Sequence, residues 1–251
     1  GLRYVSDWPL TEGDVCEFRF RDLAGTFDLV SGGPPCQPFS IGGKHRGHMD
    51  ERDMWPQAVR AVRELSPRAF IFENVKGLTR SAFSSYFEYI RHQLTYPEQT
   101  KRPTERWHEH LARLERHHTQ GRSRGLNYRL VTRVLNAADY GVPQKRERVF
   151  FVGFRSDLNV EWSFPEPTHS SDALLWSQHR TAEYWTRHEI RKRDRVLPPK
   201  SAARAERLRE QPALMPWATV RDAICDLPDP EHQKSASKFL NHKFQAGARS
   251  Y

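Results

Sequence analysis

The stretch Phe27-Asp28-Leu29-Val30-Ser31-Gly32-Gly33-Pro34-Pro35-Cys36-Gln37-Pro38-Phe39-Ser40, "FDLVSGGPPCQPFS", decides the fold. Residues 27–30 read as a short buried strand that ends at the glycine pair, and behind it a cysteine is fixed among three prolines. Ala69-Phe70-Ile71-Phe72, after Ser66-Pro67, is a second continuous apolar run. Such runs indicate central parallel strands covered on both faces. Between them, residues 57–65 place Ala58, Val59, Ala61, Val62 and Leu65 at helical spacing. Strand, helix, strand makes a βαβ unit. It puts the Cys36 loop at the carboxyl edge of the sheet, where open α/β sheets hold their ligands.

Beyond this unit the pattern predicts helices over 84–94 and 104–118, a strand over 128–135, a turn over 136–143 and a strand over 148–154. The last two strands suit an antiparallel pair at the end of a parallel sheet. Residues 1–158 are therefore expected to form one domain, with a basic, His-rich helical insertion at about 96–125. Residues 159–251 hold many prolines and four tryptophans, and read as a loop-rich extension with a short helix over 201–209.

Composition narrows the function. The 251 residues carry 40 Lys and Arg against 31 Asp and Glu, a formal charge of +9, which favours polyanionic partners. No apolar run approaches the roughly 18 residues that span a bilayer, so no membrane partner is expected. Cys16, Cys36 and Cys225 are odd in number and match no metal-ligand spacing, which suits a reducing cytosol. In the insertion, His108 and His110 diverge around a helix and no cysteine joins them, so a solvated basic helix pair is expected rather than a metal site.

Three segments carry chemistry. A cysteine attacks as its thiolate, whose free pKa is about 8.5, and the Cys36 loop would expose it while its prolines remove backbone donors. Glu73-Asn74-Val75 closes the second apolar run, placing a carboxylate where it can face a site beside that loop. In Gln144-Lys145-Arg146-Glu147-Arg148, an extended chain points Gln144, Arg146 and Arg148 one way, and two forked cations on one face can fix a carbonyl or a phosphate. Taken singly, each has a plain reading: a stiff turn, a strand-end charge, a solvated basic edge.

Together they resemble the DNA (cytosine-5) methyltransferase family, with "GGPPCQPFS", "FENVKGL" and "NAADYGVPQKRERVFFVG" in the family's order. The resemblance covers residues 11–155 closely and continues in "WATVRDAICDLPDP". It implies an α/β, Rossmann-like S-adenosylmethionine-dependent methyltransferase fold, here incomplete, with a parallel sheet, a terminal antiparallel pair and a loop-rich extension. By the match, Cys36 is the nucleophile toward cytosine C6, and Glu73 contacts N3 and the exocyclic amino group. Arg146 and Arg148 lie near the O2 carbonyl and the cysteine. Asn74 orders the loop around Glu73, and with Gln37, Ser40 and Gln144 it is read on the substrate side. Asp14, Pro35 and Met54 match contacts to the donor, S-adenosylmethionine; no metal is implied.

The implied substrate is double-stranded DNA whose target base is flipped out of the stack. The implied setting is a bacterial restriction-modification system, in the cytosol or nucleoid, with a monomeric full-length enzyme. A transfer-RNA cytosine-5 methyltransferase of the same fold and a non-catalytic DNA-binding relative are the alternatives. The family's first motif, a Phe-x-Gly-x-Gly turn, and its last motifs have no match here. The chain is therefore expected to be a fragment, weak in donor binding and inactive alone, whose strand before Cys36 has an unpaired apolar edge.

Overall fold

A computed structural model of the chain describes residues 9–35, 53–121 and 125–228. Cys36, Gln37 and Ser40 lie outside the described residues. The chain divides into two compact units, residues 1–135 with 147–164, and residues 136–146 with 165–251.

The first unit is a mixed sheet with helices packed on it. Its strands are β1 (Leu29–Gly32), β2 (Ala69–Val75), β3 (Tyr128–Asn136) and β4 (Glu147–Arg155), in the order β1-β2-β4-β3. β1 runs parallel to β2, from Leu29 opposite Ala69 to Gly32 opposite Phe72. β2 runs antiparallel to β4, from Ala69 opposite Phe154 to Val75 opposite Arg148. Backbone bonds from Ser156 N–H to the Asn127 carbonyl and from Ala137 N–H to the Arg146 carbonyl bracket β3 and β4 as an antiparallel pair.

The crossover between the parallel strands is α1 (Trp55–Leu65), and its apolar positions Ala58, Val59, Ala61, Val62 and Leu65 are all buried. Asp53 starts this helix by accepting from Trp55 N–H at 3.1 Å and from the Tyr86 hydroxyl. Pro56 occupies the first turn, where its missing N–H has no helical partner to lose. α2 (Ser84–Thr95) and α3 (Trp107–Gln120) complete the cover. Phe70 and Phe72 on β2 meet them in a core with Trp55, Ile90, Leu94, Leu114, Tyr128 and Phe151. The packing is tight enough that any side chain at Gly153 would drive into the Phe70 ring.

Two expectations fail here. The first strand begins at Leu29, not Phe27, and it is exposed rather than covered on both faces: Leu29 keeps 56% of its surface. Among the described residues β1 borders β2 alone, so it is an apolar edge. Nor is the 96–125 excursion merely a solvated helix pair. His110 is 1% exposed, takes the Tyr89 hydroxyl on Nδ1 at 2.8 Å, and contacts the Gln99 carbonyl through Nε2 at 2.6 Å. Burial pushes its pKa down.

The second unit contains more helix than its prolines suggest. It holds α4 (Ser171–His179), α5 (Glu183–Arg187), α6 (Pro199–Arg207) and α7 (Val220–Ile224), and a short parallel pair, β5 (His169–Ser170) with β6 (Met215–Pro216). α4 begins where the Ser170 hydroxyl accepts from Ala173 N–H, and α7 where Thr219 and Asp222 cap each other reciprocally. Indole N–H groups tie the loops: Trp185 donates to the Gln178 carbonyl and Trp217 to Asp139 Oδ1.

Candidate active site

The end of β2 sorts its residues by the pleat. Phe70, Phe72 and Asn74 point into the core, while Ile71, Glu73 and Val75 point the other way and stay partly exposed. Arg148 stands opposite Val75, so it shares the face of Glu73 and reaches it diagonally across the antiparallel pair. Its Nε lies 2.8 Å from Glu73 Oε1, with the two side chains 24% and 36% exposed. The other carboxylate oxygen, Oε2, faces Gly33, where an added Cβ would sit 3.7 Å from it. The strand end therefore offers one carboxylate held by a guanidinium, with its second oxygen turned toward the loop that leads to Cys36.

The position of that loop is set from the core. Asn74 Nδ2 donates to the Pro34 carbonyl at 3.0 Å, and Asn74 Oδ1 accepts from Val75 N–H at 2.8 Å. One residue on, the Pro35 carbonyl accepts from Met54 N–H at 3.5 Å, at the start of α1. Two successive carbonyls are thus anchored to two different elements, immediately before Cys36. Asn74 is only 3% exposed. The resemblance has Asn74 order the loop around Glu73, on the substrate side; in the structure its side chain holds Pro34 from the face of β2 opposite Glu73.

Asp14, Pro35 and Met54 are read on the donor side by the resemblance. Pro35 and Met54 are joined by the bond just described, and both are half-buried or exposed rather than core. Asp14 is exposed and its Oδ1 accepts from Cys16 N–H at 2.8 Å, closing a turn. Arg60 of α1 holds this turn by donating to the Phe18 and Val15 carbonyls at 2.9 and 2.5 Å. Among the described residues, no cluster of His, Cys, Asp and Glu is placed to hold a metal ion.

Of the third motif, Glu147 and Arg148 lie on β4, and Gln144 and Arg146 precede it. Arg146 belongs to the second unit and is held by its backbone: N–H to Asn136 Oδ1 at 3.1 Å, and its carbonyl accepting from Ala137 N–H at 3.0 Å. Asn136, which also takes Ala138 N–H, fixes the approach to β4 and had gone unremarked in the sequence; an Asn at the head of a turn was the available signal. Lys76 and Glu147, 2.6 Å apart, clasp the ends of β2 and β4 and were equally silent.

The mixed α/β sheet, with a carboxylate held by a guanidinium at the end of β2 and with Pro34 and Pro35 anchored beside it, agrees with the class that the family comparison shows, the DNA methyltransferases. The model of C-5 cytosine-specific DNA methylases matches residues 4–96 and 116–243, and the chain belongs to this family. It is 35% identical over 161 residues to the Type II methyltransferase M.NgoMIV of Neisseria gonorrhoeae, covering 64% of this chain and 42% of that protein. It is 32% identical over 232 residues to the Type II methyltransferase M.AquIA of Picosynechococcus, covering 89% of this chain and 73% of that one. A solved DNA modification methyltransferase encoded within an Escherichia coli prophage is 26% identical over 64% of this chain and 40% of its own, with a TM-score of 0.38.

Proposed function

We propose that the chain carries the nucleophile and base-holding groups of an enzyme that transfers a methyl group from S-adenosylmethionine to C5 of cytosine in duplex DNA, within a restriction-modification system. The observation that carries this reading is the Glu73–Arg148 pair beside a loop anchored at Pro34 and Pro35. The family match and the curated relatives favour DNA over transfer RNA as substrate.

In this mechanism the Cys36 thiolate adds to C6 of a flipped cytosine, making C5 an enamine carbon that can accept the methyl group. Glu73 holds N3 and the exocyclic amino group and stabilises the protonated ring as the thiolate adds. Arg148 keeps one Glu73 oxygen engaged, which fixes the direction of the other. Arg146 supplies positive charge to the O2 carbonyl. Gln37, Ser40 and Gln144 contact substrate, and Asn74 acts on it through Pro34. Asp14, Pro35 and Met54 hold the donor's adenine, and the donor supplies the methyl group. Loss of the C5 proton and β-elimination then free Cys36.

On this reading residues 1–158 are part of a catalytic domain and residues 159–251 lead into target recognition, in a monomeric enzyme of the bacterial cytosol. The test is covalent trapping by the full-length protein on duplex DNA containing 5-fluorocytosine, with donor. A trapped adduct that vanishes in Cys36→Ser supports the assignment. An adduct that survives that change overturns it.

A further inference from the structure

The positive charge of the chain is concentrated outside the candidate site. Residues 180–209 hold ten Lys and Arg against four acids, a surplus of six within a formal total of +9. Part of the run's charge is spent locally. Arg187 pairs with Asp222, Arg193 with Asp194, and Arg180 donates to the Glu206 and Leu208 carbonyls at the end of α6. α6 is different. Its Ala205 is buried, and Ser201, Ala202 and Leu208 beside it are partly buried, so this stripe faces the unit's interior. Lys200, Arg204 and Arg207 lie at i, i+4 and i+7, on an arc of about 60° turned away from that stripe. Glu206 projects from another side of the helix. Among the described residues, the acid that pairs with the cationic arc is Asp172 of α4, 2.7 Å from Arg204 Nε, while Lys200 and Arg207 are exposed.

Like charges at this spacing repel and weaken a helix. A solvated helix would intersperse acids, and this face has none of its own. The three cations extend over about 10 Å at 1.5 Å per residue, the rise of about three phosphate-to-phosphate steps on one DNA strand at about 3.4 Å each. No large apolar side chain shares the arc, which argues against a membrane surface, where such a helix would bury an apolar face. The geometry points to α6 as a docking stripe for the phosphate backbone of duplex DNA, a sequence-independent contact apart from the groups that hold the target base. This rests on the reading of duplex DNA as substrate.

The test is the salt dependence of binding by the full-length protein to a duplex lacking the target cytosine. Lys200→Gln with Arg207→Gln leaves the Arg204–Asp172 pair intact. Each phosphate contact adds about 0.9 to the slope of log K against log salt, so the double variant should lower it by about 1.8, roughly a tenfold change in the affinity lost between 50 and 200 mM salt. Lys200→Arg with Arg207→Lys should keep the wild-type slope. An unchanged slope in a double variant with wild-type thermal melting overturns the stripe while leaving the DNA reading standing. Absence of salt-dependent duplex binding by the wild type overturns both. Equal binding to vesicles of anionic lipid, lost in the same variant, would overturn the choice of DNA.

Discussion

Along β2, side chains that point one way, Phe70, Phe72 and Asn74, are at most 3% exposed, whereas Ile71, Glu73 and Val75 on the other side all keep contact with solvent. The closed face is built from aromatic contacts, with the Phe70 ring 5.4 Å from Phe72 and 5.0 Å from Tyr128. The open face bears an ion pair between two partly exposed groups. One strand thus separates the face that holds the unit together from the face proposed to meet substrate, and the pleat alone keeps the two apart. Asn74 is the exception that joins them, because it lies on the closed face yet grips the loop that serves the open one.

The largest expected effect lies on the closed face. Phe70→Ala should lose about 3–5 kcal/mol of unfolding free energy, measured by denaturant titration, because the ring fills a core that cannot collapse around Gly153 and Tyr128. A loss below 1 kcal/mol would break the division of faces. Asn74→Ala should cost about 1–3 kcal/mol, by leaving the Pro34 carbonyl and Val75 N–H without their partner. It should also slow adduct formation with 5-fluorocytosine duplex, and an unaffected rate would show that Pro34 needs no anchor.

The closed face should also answer to acid. Burial holds the His110 pKa below its ordinary value, so the unfolded chain takes up a proton below about pH 6.5 while the folded one resists. Stability is therefore full above that pH and falls as pH drops through it. Thermal melts at pH 7.5 and 5.5 should show the decline, and His110→Asn should flatten the part of it that this group contributes. The smallest effect on stability is expected for Glu73→Gln, less than about 1 kcal/mol, since an exposed ion pair contributes little. Methyl transfer by the full-length protein should nonetheless fall by about 10²- to 10⁴-fold. A Glu73→Gln variant that melts as early as Asn74→Ala would erase the contrast.

How much of this was legible in the sequence follows from how local each signal is. α1 could be read because five apolar residues at helical spacing all face one core. The polar end of β2 was legible for the same reason, an abrupt change after four apolar residues. β1 misled because apolar composition reports propensity to be covered, not whether a neighbour is present to cover it. The Gln144–Arg148 alternation was legible as strand only from Glu147 onward, because a period of two does not mark where a strand begins. α4 escaped because its apolar residues, Leu174, Leu175 and Trp176, are consecutive rather than periodic. The family resemblance reached the site residues without any of these steps, but the opposite facing of Glu73 and Asn74 came from the strand's pleat.

The double anchoring of the cysteine loop ties its setting to the alignment of two larger parts. Pro34 follows the sheet and Pro35 follows the helix, so a slip of α1 against β2 shears the backbone just ahead of Cys36. Core substitutions far from any substrate should therefore slow adduct formation at Cys36, and warming should erode turnover before the unit melts.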